Sequence, residues 1–129
     1  MDAQKTIVIL GASDVPERFS NRAQKLLMEQ GYGVIPVHPT LKEVEGVAVI
    51  PVLAEVPRHP DVLTVYVSPE TGSRLVEDII SLAPSLVIFN PGSENPETER
   101  KLGEAGIRFI RACTVMLLTA HRFESVISV

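Results

Sequence analysis

Short apolar runs recur along this chain, separated by helix-length amphipathic stretches. The runs cover residues 6–10, 34–37, 47–50, 62–67, 86–89 and 107–110. Most are β-branched and continuous rather than alternating. A strand covered on both faces reads this way, which predicts a parallel sheet with helices on either side.

The stretches between the runs carry helix signals. Ser20 is the expected cap of a helix ending near Gln30, with Ala23, Leu26 and Leu27 inward and Gly31 as its stop. A second helix is expected over residues 70–83, burying Leu75, Val76, Ile79 and Ile80 and ending at Pro84. Asn95 and Pro96 open a third, stopped by Gly106. It has few apolar residues, which suits a sheet edge. Residues 53–56 can form one short helical turn, and residues 119–129 give the weakest signal. Strands and helices alternate, with crossovers of about 10–20 residues. The expected fold is therefore α/β, a Rossmann-like, doubly wound parallel sheet in a single domain over residues 1–129.

Composition narrows the function classes. The chain has 129 residues, 45% of them hydrophobic, and a net charge of −4. That size supports one domain with its own core. The acidic balance disfavours a duplex nucleic-acid binder, which needs a basic face for phosphates. No apolar run reaches the ~18 residues of a membrane span. The first five residues lack the long apolar stretch of an export signal, so a cytoplasmic location is expected. The single cysteine, Cys113, excludes an intrachain disulfide and a cysteine-rich metal site.

In an open α/β sheet, ligands bind beyond the carboxyl ends of the strands. Four loops leave such ends: Gly11-Ala12-Ser13-Asp14, His38 to Lys42, Ser68-Pro69-Glu70, and Asn90 to Asn95. Small turn-forming residues dominate three of them, as a backbone approached closely by a phosphate or adenine requires. Gly11-Ala12-Ser13 runs from a strand toward a helix, where free N–H groups and the helix dipole favour an anion. An ordinary βα turn reads the same way. The full Gly-x-Gly-x-x-Gly pattern and the P-loop are absent. After the second strand the chain reads Val37-His38-Pro39, without the carboxylate that holds an NAD ribose. Lys42, Arg18 and Arg22 follow these loops and are candidates for an additional ribose phosphate.

No catalytic constellation accompanies the loops. His38, His59 and His121 lack metal-ligand spacing. There is no nucleophile elbow, and the carboxylate pairs sit on solvated helix faces. Cys113, after the last strand, suits either packing or a place near a ligand. Three functions remain: a non-catalytic nucleotide or coenzyme binder, an NAD(P)-linked redox or sensor protein, and a ligand-free flavodoxin-like regulatory domain. A homodimer through exposed sheet-edge or tail residues such as Phe123 and Val126 is a further expectation.

Taken in order, several segments resemble the small stand-alone CoA-binding proteins. That family is similar to the N-terminal, nucleotide-binding domain of the succinyl-CoA synthetase alpha subunit. The matching pieces are Ile7-Val8-Ile9-Leu10-Gly11-Ala12-Ser13, Pro16-Glu17-Arg18-Phe19-Ser20-Asn21-Arg22, and Gly31 through Pro39. They continue with Gly46-Val47, Pro51 to Pro57, Asp61-Val62, and Arg111-Ala112-Cys113-Thr114-Val115. The resemblance extends to about His121. It implies coenzyme A or an acyl-CoA as ligand, and no catalysis. Gly11, Ala12 and Ser13 would meet the pyrophosphate, with Ser13 donating from its side chain. Arg18 and Ser20 would close that loop. His38, Pro39 and Lys42 would surround the adenosine ribose and its 3′-phosphate, and Ser68 and Pro69 would line the adenine or pantetheine side. His38 stands where the family usually has Asn. The phosphorylated histidine of succinyl-CoA synthetase belongs to a second domain, so ligase chemistry is not implied.

Overall fold

A computed structural model describes residues 4–129. Most of the N-terminal segment behind the export expectation, residues 1–3, lies outside the described residues. Five parallel strands form the central sheet: β1 (Thr6–Leu10), β2 (Gly33–Val37), β5 (Val62–Val65), β6 (Leu86–Phe89) and β7 (Phe109–Arg111). The sheet order is β2-β1-β5-β6-β7, with every neighbour pair parallel. The expected α/β fold is the fold observed.

Each strand sends alternate side chains to opposite faces, and both faces are apolar because both are covered. Val8 and Leu10 pack with Leu63, Val65, Val87 and Phe89 under helices α2 (Pro69–Leu82) and α3 (Pro96–Glu104). Ile7 and Ile9 pack with Val62, Leu86 and Ile88 on the other face. Helix α1 (Phe19–Glu29) and the short helices α4 (Thr114–Thr119) and α5 (Phe123–Ile127) cover that side. Leu27 anchors α1 there at 0% exposure, a burial worth about 1.5–3 kcal/mol. Ala23 is also buried; Leu26 is half-buried.

Three expectations are corrected. The run over 47–50 is not a full strand of the sheet. Its first half pairs as β4 (Val47–Ala48) with β3 (Glu43–Val44) in a small antiparallel hairpin. Its end, Ile50, makes one parallel bridge to Val37. With that bridge counted as a rudimentary edge strand, the order becomes 3-2-1-4-5-6, that of a Rossmann sheet. The hairpin forms because Glu45 and Gly46 both take positive φ, the conformation of a tight two-residue turn.

The second correction concerns Ser20. It lies inside α1 and is buried; Arg18 occupies the cap position without a side-chain cap bond. The capping expectation did hold for α3, where Asn95 Oδ1 accepts from the Thr98 amide at 3.2 Å.

The third correction is the tail. Phe123 is 1% exposed and meets Tyr32 edge-on, with ring centroids 5.2 Å apart. It cannot serve a dimer surface because it is spent on the chain's own core. Lys5 Nζ donates to Glu124 at 2.7 Å, and the Tyr32 hydroxyl donates to the same carboxylate. These contacts fasten α5 against the start of β1. No helix of the described residues is long and apolar enough to cross a membrane.

Candidate functional site

The direction of the chain's progress through the sheet reverses between β1 and β5. The carboxyl ends of these strands therefore diverge into a crevice. The Gly11–Asp14 loop, the His38-Pro39 turn and the start of α2 surround it. Two connected hollows fill it. One, of about 270 Å³, has an apolar wall that includes Val37, Pro39, Val52, Val67 and Leu75. The other, of about 510 Å³, is more open and is lined by Gly11, Ala12, Ser13, Arg18, His38 and Leu41 among others. Beyond Tyr66, toward β7, a smaller cleft of about 150 Å³ is bounded by Phe19, Tyr66, Asn90, Pro91 and Cys113.

The loop after β1 is built mainly by the chain itself. The amides of Gly11 and Ala12 both donate to the Val37 carbonyl at 3.1 Å. They are thus engaged in the sheet end rather than presented to an anion. Gly11 is required for two other reasons. Its φ is +91°, and a Cβ would stand 3.1 Å from both the Tyr66 carbonyl carbon and a Val67 methyl. Donors remain one step further on. The Ser13 and Asp14 amides have no partner among the described residues, and the first turn of α1 lacks a side-chain cap. Ser13 Oγ accepts from the Val15 amide at 3.1 Å, which leaves its proton free to donate outward. Asn21, fully buried on α1, holds the loop from behind by donating to the Ser13 carbonyl at 2.9 Å.

The turn after β2 explains the histidine. His38 Nδ1 accepts from the amides of Thr40 and Leu41, each at 3.1 Å. An asparagine oxygen makes the same turn, so His38 reproduces locally what Asn supplies in the resembled family. With Nδ1 accepting, the neutral ring carries its proton on Nε2, as a donor. His38→Ala is expected to cost about 1 kcal/mol through the two lost acceptor contacts. His38→Asn is expected to stay within about 0.5 kcal/mol of the parent. Urea denaturation midpoints of the three proteins test this.

Other expected site residues lie elsewhere. Lys42 is exposed one residue beyond Leu41, where the chain enters the hairpin, and is not part of the crevice wall. Ser68 is the N-cap of α2, accepting from the Thr71 amide at 3.3 Å. Pro69 opens α2, and its carbonyl accepts from Asn95 Nδ2 at 2.8 Å, on the side facing α3. The α2 residues that do line the crevice are Thr71, Leu75 and Asp78. Sequence reading missed Thr71 and Asp78 and placed Leu75 in the core. Their spacing of three to four residues gives them one helix face; which element that face meets is decided by the crossover.

The loop after β6 is mostly committed to structure. Asn90 is buried and donates to Thr64 Oγ1 at 2.7 Å and to the Val65 carbonyl at 3.0 Å. Its side-chain Oδ1 accepts from the Thr114 amide at 2.9 Å. Thr64 and Thr114 pair through their hydroxyls at 2.9 Å. This fully buried network ties β5, β6 and α4 together beneath Cys113. Ser93 Oγ donates back to Asn90, and Asn95 Nδ2 donates to Ser73 at 2.7 Å. Glu99 grips the Arg111 guanidinium through two contacts of 3.0 Å. Burial pushes the Tyr66 phenol up to about 12, against the opposing pull of the nearby Thr64 and Thr114 hydroxyls. It stays neutral at physiological pH. Cys113 is half-buried beside it. Among the described residues no cluster of three or more His, Cys, Asp or Glu could hold a metal ion.

Residues 5–119 match the CoA binding domain family. The chain belongs to that family. It is 29% identical over 106 residues to the uncharacterized protein YneT of Bacillus subtilis, across 82% of this chain and 78% of that protein. A solved protein from Thermus thermophilus, cell-free ID.343, is 32% identical with a TM-score of 0.85, over 93% of this chain and 91% of that one. A dinucleotide-forming acetyl-coenzyme A synthetase of Ca. Korarchaeum cryptofilum shares the fold at 22% identity and a TM-score of 0.72. The matched region covers 82% of this chain but only 25% of the synthetase. The family membership and the Rossmann-like sheet agree with the resemblance read from the segments around Gly11, His38 and Cys113.

Proposed function

We propose that this protein binds coenzyme A, free or acylated, in the crevice at the carboxyl ends of the strands, and that it acts as a binding protein without chemistry of its own. The observation that carries the reading is the CoA binding domain match across a crevice at the strand-order reversal. The pyrophosphate would lie against Ser13 and the uncapped start of α1, with Arg18 alongside. The adenine would enter the apolar hollow between Pro39, Val52 and Leu75. Lys42, on its long exposed side chain, would reach the 3′-phosphate from the rim. Gly11, Ala12 and His38 would act by shaping the walls, and Ser68 and Pro69 by starting α2. Ser20 would act only through the packing of α1. A single cysteine and no disulfide suit a reducing, cytoplasmic setting.

An NAD reading is disfavoured by the residue after β2. A carboxylate at that place would accept from the ribose hydroxyls; here His38 spends its acceptor nitrogen on Thr40 and Leu41. Calorimetry with CoA, dephospho-CoA and NAD tests the assignment. CoA is expected to bind roughly ten- to a hundredfold tighter than dephospho-CoA, the worth of one charge-assisted contact. NAD is expected to bind weakly. Lys42→Ala should narrow the gap between CoA and dephospho-CoA, with dephospho-CoA binding nearly unchanged. CoA at a hundred times its Kd should stabilise the fold by about 2.7 kcal/mol. Equal stabilisation by NAD and CoA, or by neither, would overturn the proposal.

A further inference from the structure

The cleft between Phe19, Tyr66, Asn90, Pro91 and Cys113 is separate from the crevice beside β1 and β2. On the reading that CoA binds with its pyrophosphate at Ser13, we infer that this cleft takes a short, uncharged acyl group carried on the coenzyme as a thioester. The inference rests on three features: where the cleft lies, what its wall offers, and how large it is.

Its place follows from the sheet. Tyr66 and Asn90 follow β5 and β6, one and two steps of about 4.8 Å from β1, and Thr114 beside Cys113 bonds to Thr64 of β5, so the cleft lies roughly 5–10 Å across the sheet from the Ser13 loop. The pantetheine arm between phosphate and sulfur has about twelve bonds. That equals about four extended residues, roughly 14 Å. An arm that runs from the Ser13 loop across the ends of β5 and β6 therefore has the length to deliver its sulfur into this cleft, beside Cys113.

The wall offers no charge. It consists of two aromatic rings, a proline, a thiol and one amide side chain. The amide is fully occupied: Asn90 spends both its nitrogen and its oxygen on Thr64, Val65 and Thr114. The Tyr66 hydroxyl is buried and has no hydrogen-bond partner among the described residues. A carboxylate entering here would lose water with no cation in the wall and only the buried Tyr66 hydroxyl as a donor, which is unfavourable. An apolar acyl tail loses nothing and gains burial.

The size sets an upper bound. About 150 Å³ is the volume that, in an apolar cavity, holds a benzene-sized group of roughly six heavy atoms. Acetyl to butyryl groups fit within it, and an octanoyl chain must emerge into solvent.

Calorimetry on the intact protein with CoA, acetyl-CoA, butyryl-CoA, octanoyl-CoA and succinyl-CoA tests this. Each buried methylene should raise affinity about fourfold. Butyryl-CoA should therefore bind roughly fifteenfold tighter than acetyl-CoA. Octanoyl-CoA should show no further gain, and succinyl-CoA should bind at least about tenfold more weakly than butyryl-CoA. Cys113→Leu, which fills the cleft, should cost butyryl-CoA at least about tenfold more affinity than it costs CoA. If CoA binds but butyryl-CoA binds no tighter, or succinyl-CoA binds best, the acyl assignment is overturned and the CoA site stands. If no member of the series binds, the CoA reading itself fails and takes the acyl assignment with it.

Discussion

Gly11→Val is expected to destabilise the whole fold, by about 3–5 kcal/mol, rather than only to block a ligand. Two costs combine. A β-branched residue at φ +91° is strained by about 1–3 kcal/mol. Its Cβ would also press on the Tyr66 backbone and Val67 from 3.1 Å. Overpacking of that kind typically costs about 1–3 kcal/mol, and the obstructing atoms are partly main chain at the end of a central strand, which yields little. The measurement is the urea midpoint with the slope checked for two-state behaviour. A folded Gly11→Val protein within about 1 kcal/mol of the parent would refute this account of the turn. Gly11→Ala, with the same φ and less bulk, should lie between the two and separate backbone strain from crowding.

Asn90 is expected to produce the second-largest loss. Asn90→Ala leaves the Thr114 amide without its acceptor, and Thr114 is 0% exposed. The Val65 carbonyl and Thr64 hydroxyl lose a donor as well. One buried unsatisfied group costs about 1–3 kcal/mol, so the total should be about 3 kcal/mol. Because the network holds the start of α4, the Cys113 thiol should become more reactive toward a bulky thiol reagent. Asn90→Asp adds a sign test. A buried carboxylate facing the Val65 carbonyl favours its protonated form, which can donate as the amide did. The folded state then binds the proton more tightly than the unfolded state. Stability of Asn90→Asp should therefore rise as pH falls below the raised carboxyl value of the folded state and level off near the unfolded-state value of about 4. An Asn90→Asp protein whose stability does not depend on pH would show that Asn90 is not held as described.

Much of the architecture was legible from local chemistry. Continuous β-branched runs between amphipathic stretches determine strands covered on both faces, and those strands leave few alternatives to a doubly wound parallel sheet. Helix ends marked by their own side chains, such as Asn95 at α3, were legible for the same reason: the capping bond spans three residues. The resemblance carried by the segments around Gly11, His38 and Cys113 located the family.

What the sequence left open was decided by contacts between distant segments. Whether residues 47–50 join the sheet depends on a two-residue turn at Glu45 and Gly46 competing with an edge pairing to Val37, and each is local and sensible alone. Ser20 reads as a cap, yet the chain caps the helix two residues earlier, at Arg18, and buries Ser20. Gly11 was expected to make room for a phosphate, but its amide is engaged by Val37 and its missing Cβ makes room for Tyr66. Phe123 reads as an exposed apolar tail residue until Tyr32 and Leu118 enclose it. The cleft wall from Phe19 to Cys113 assembles residues nearly a hundred positions apart. Side-chain type and spacing act over one turn of helix or one strand pair. Which surfaces meet across the sheet is settled only when burial on both faces is satisfied at once.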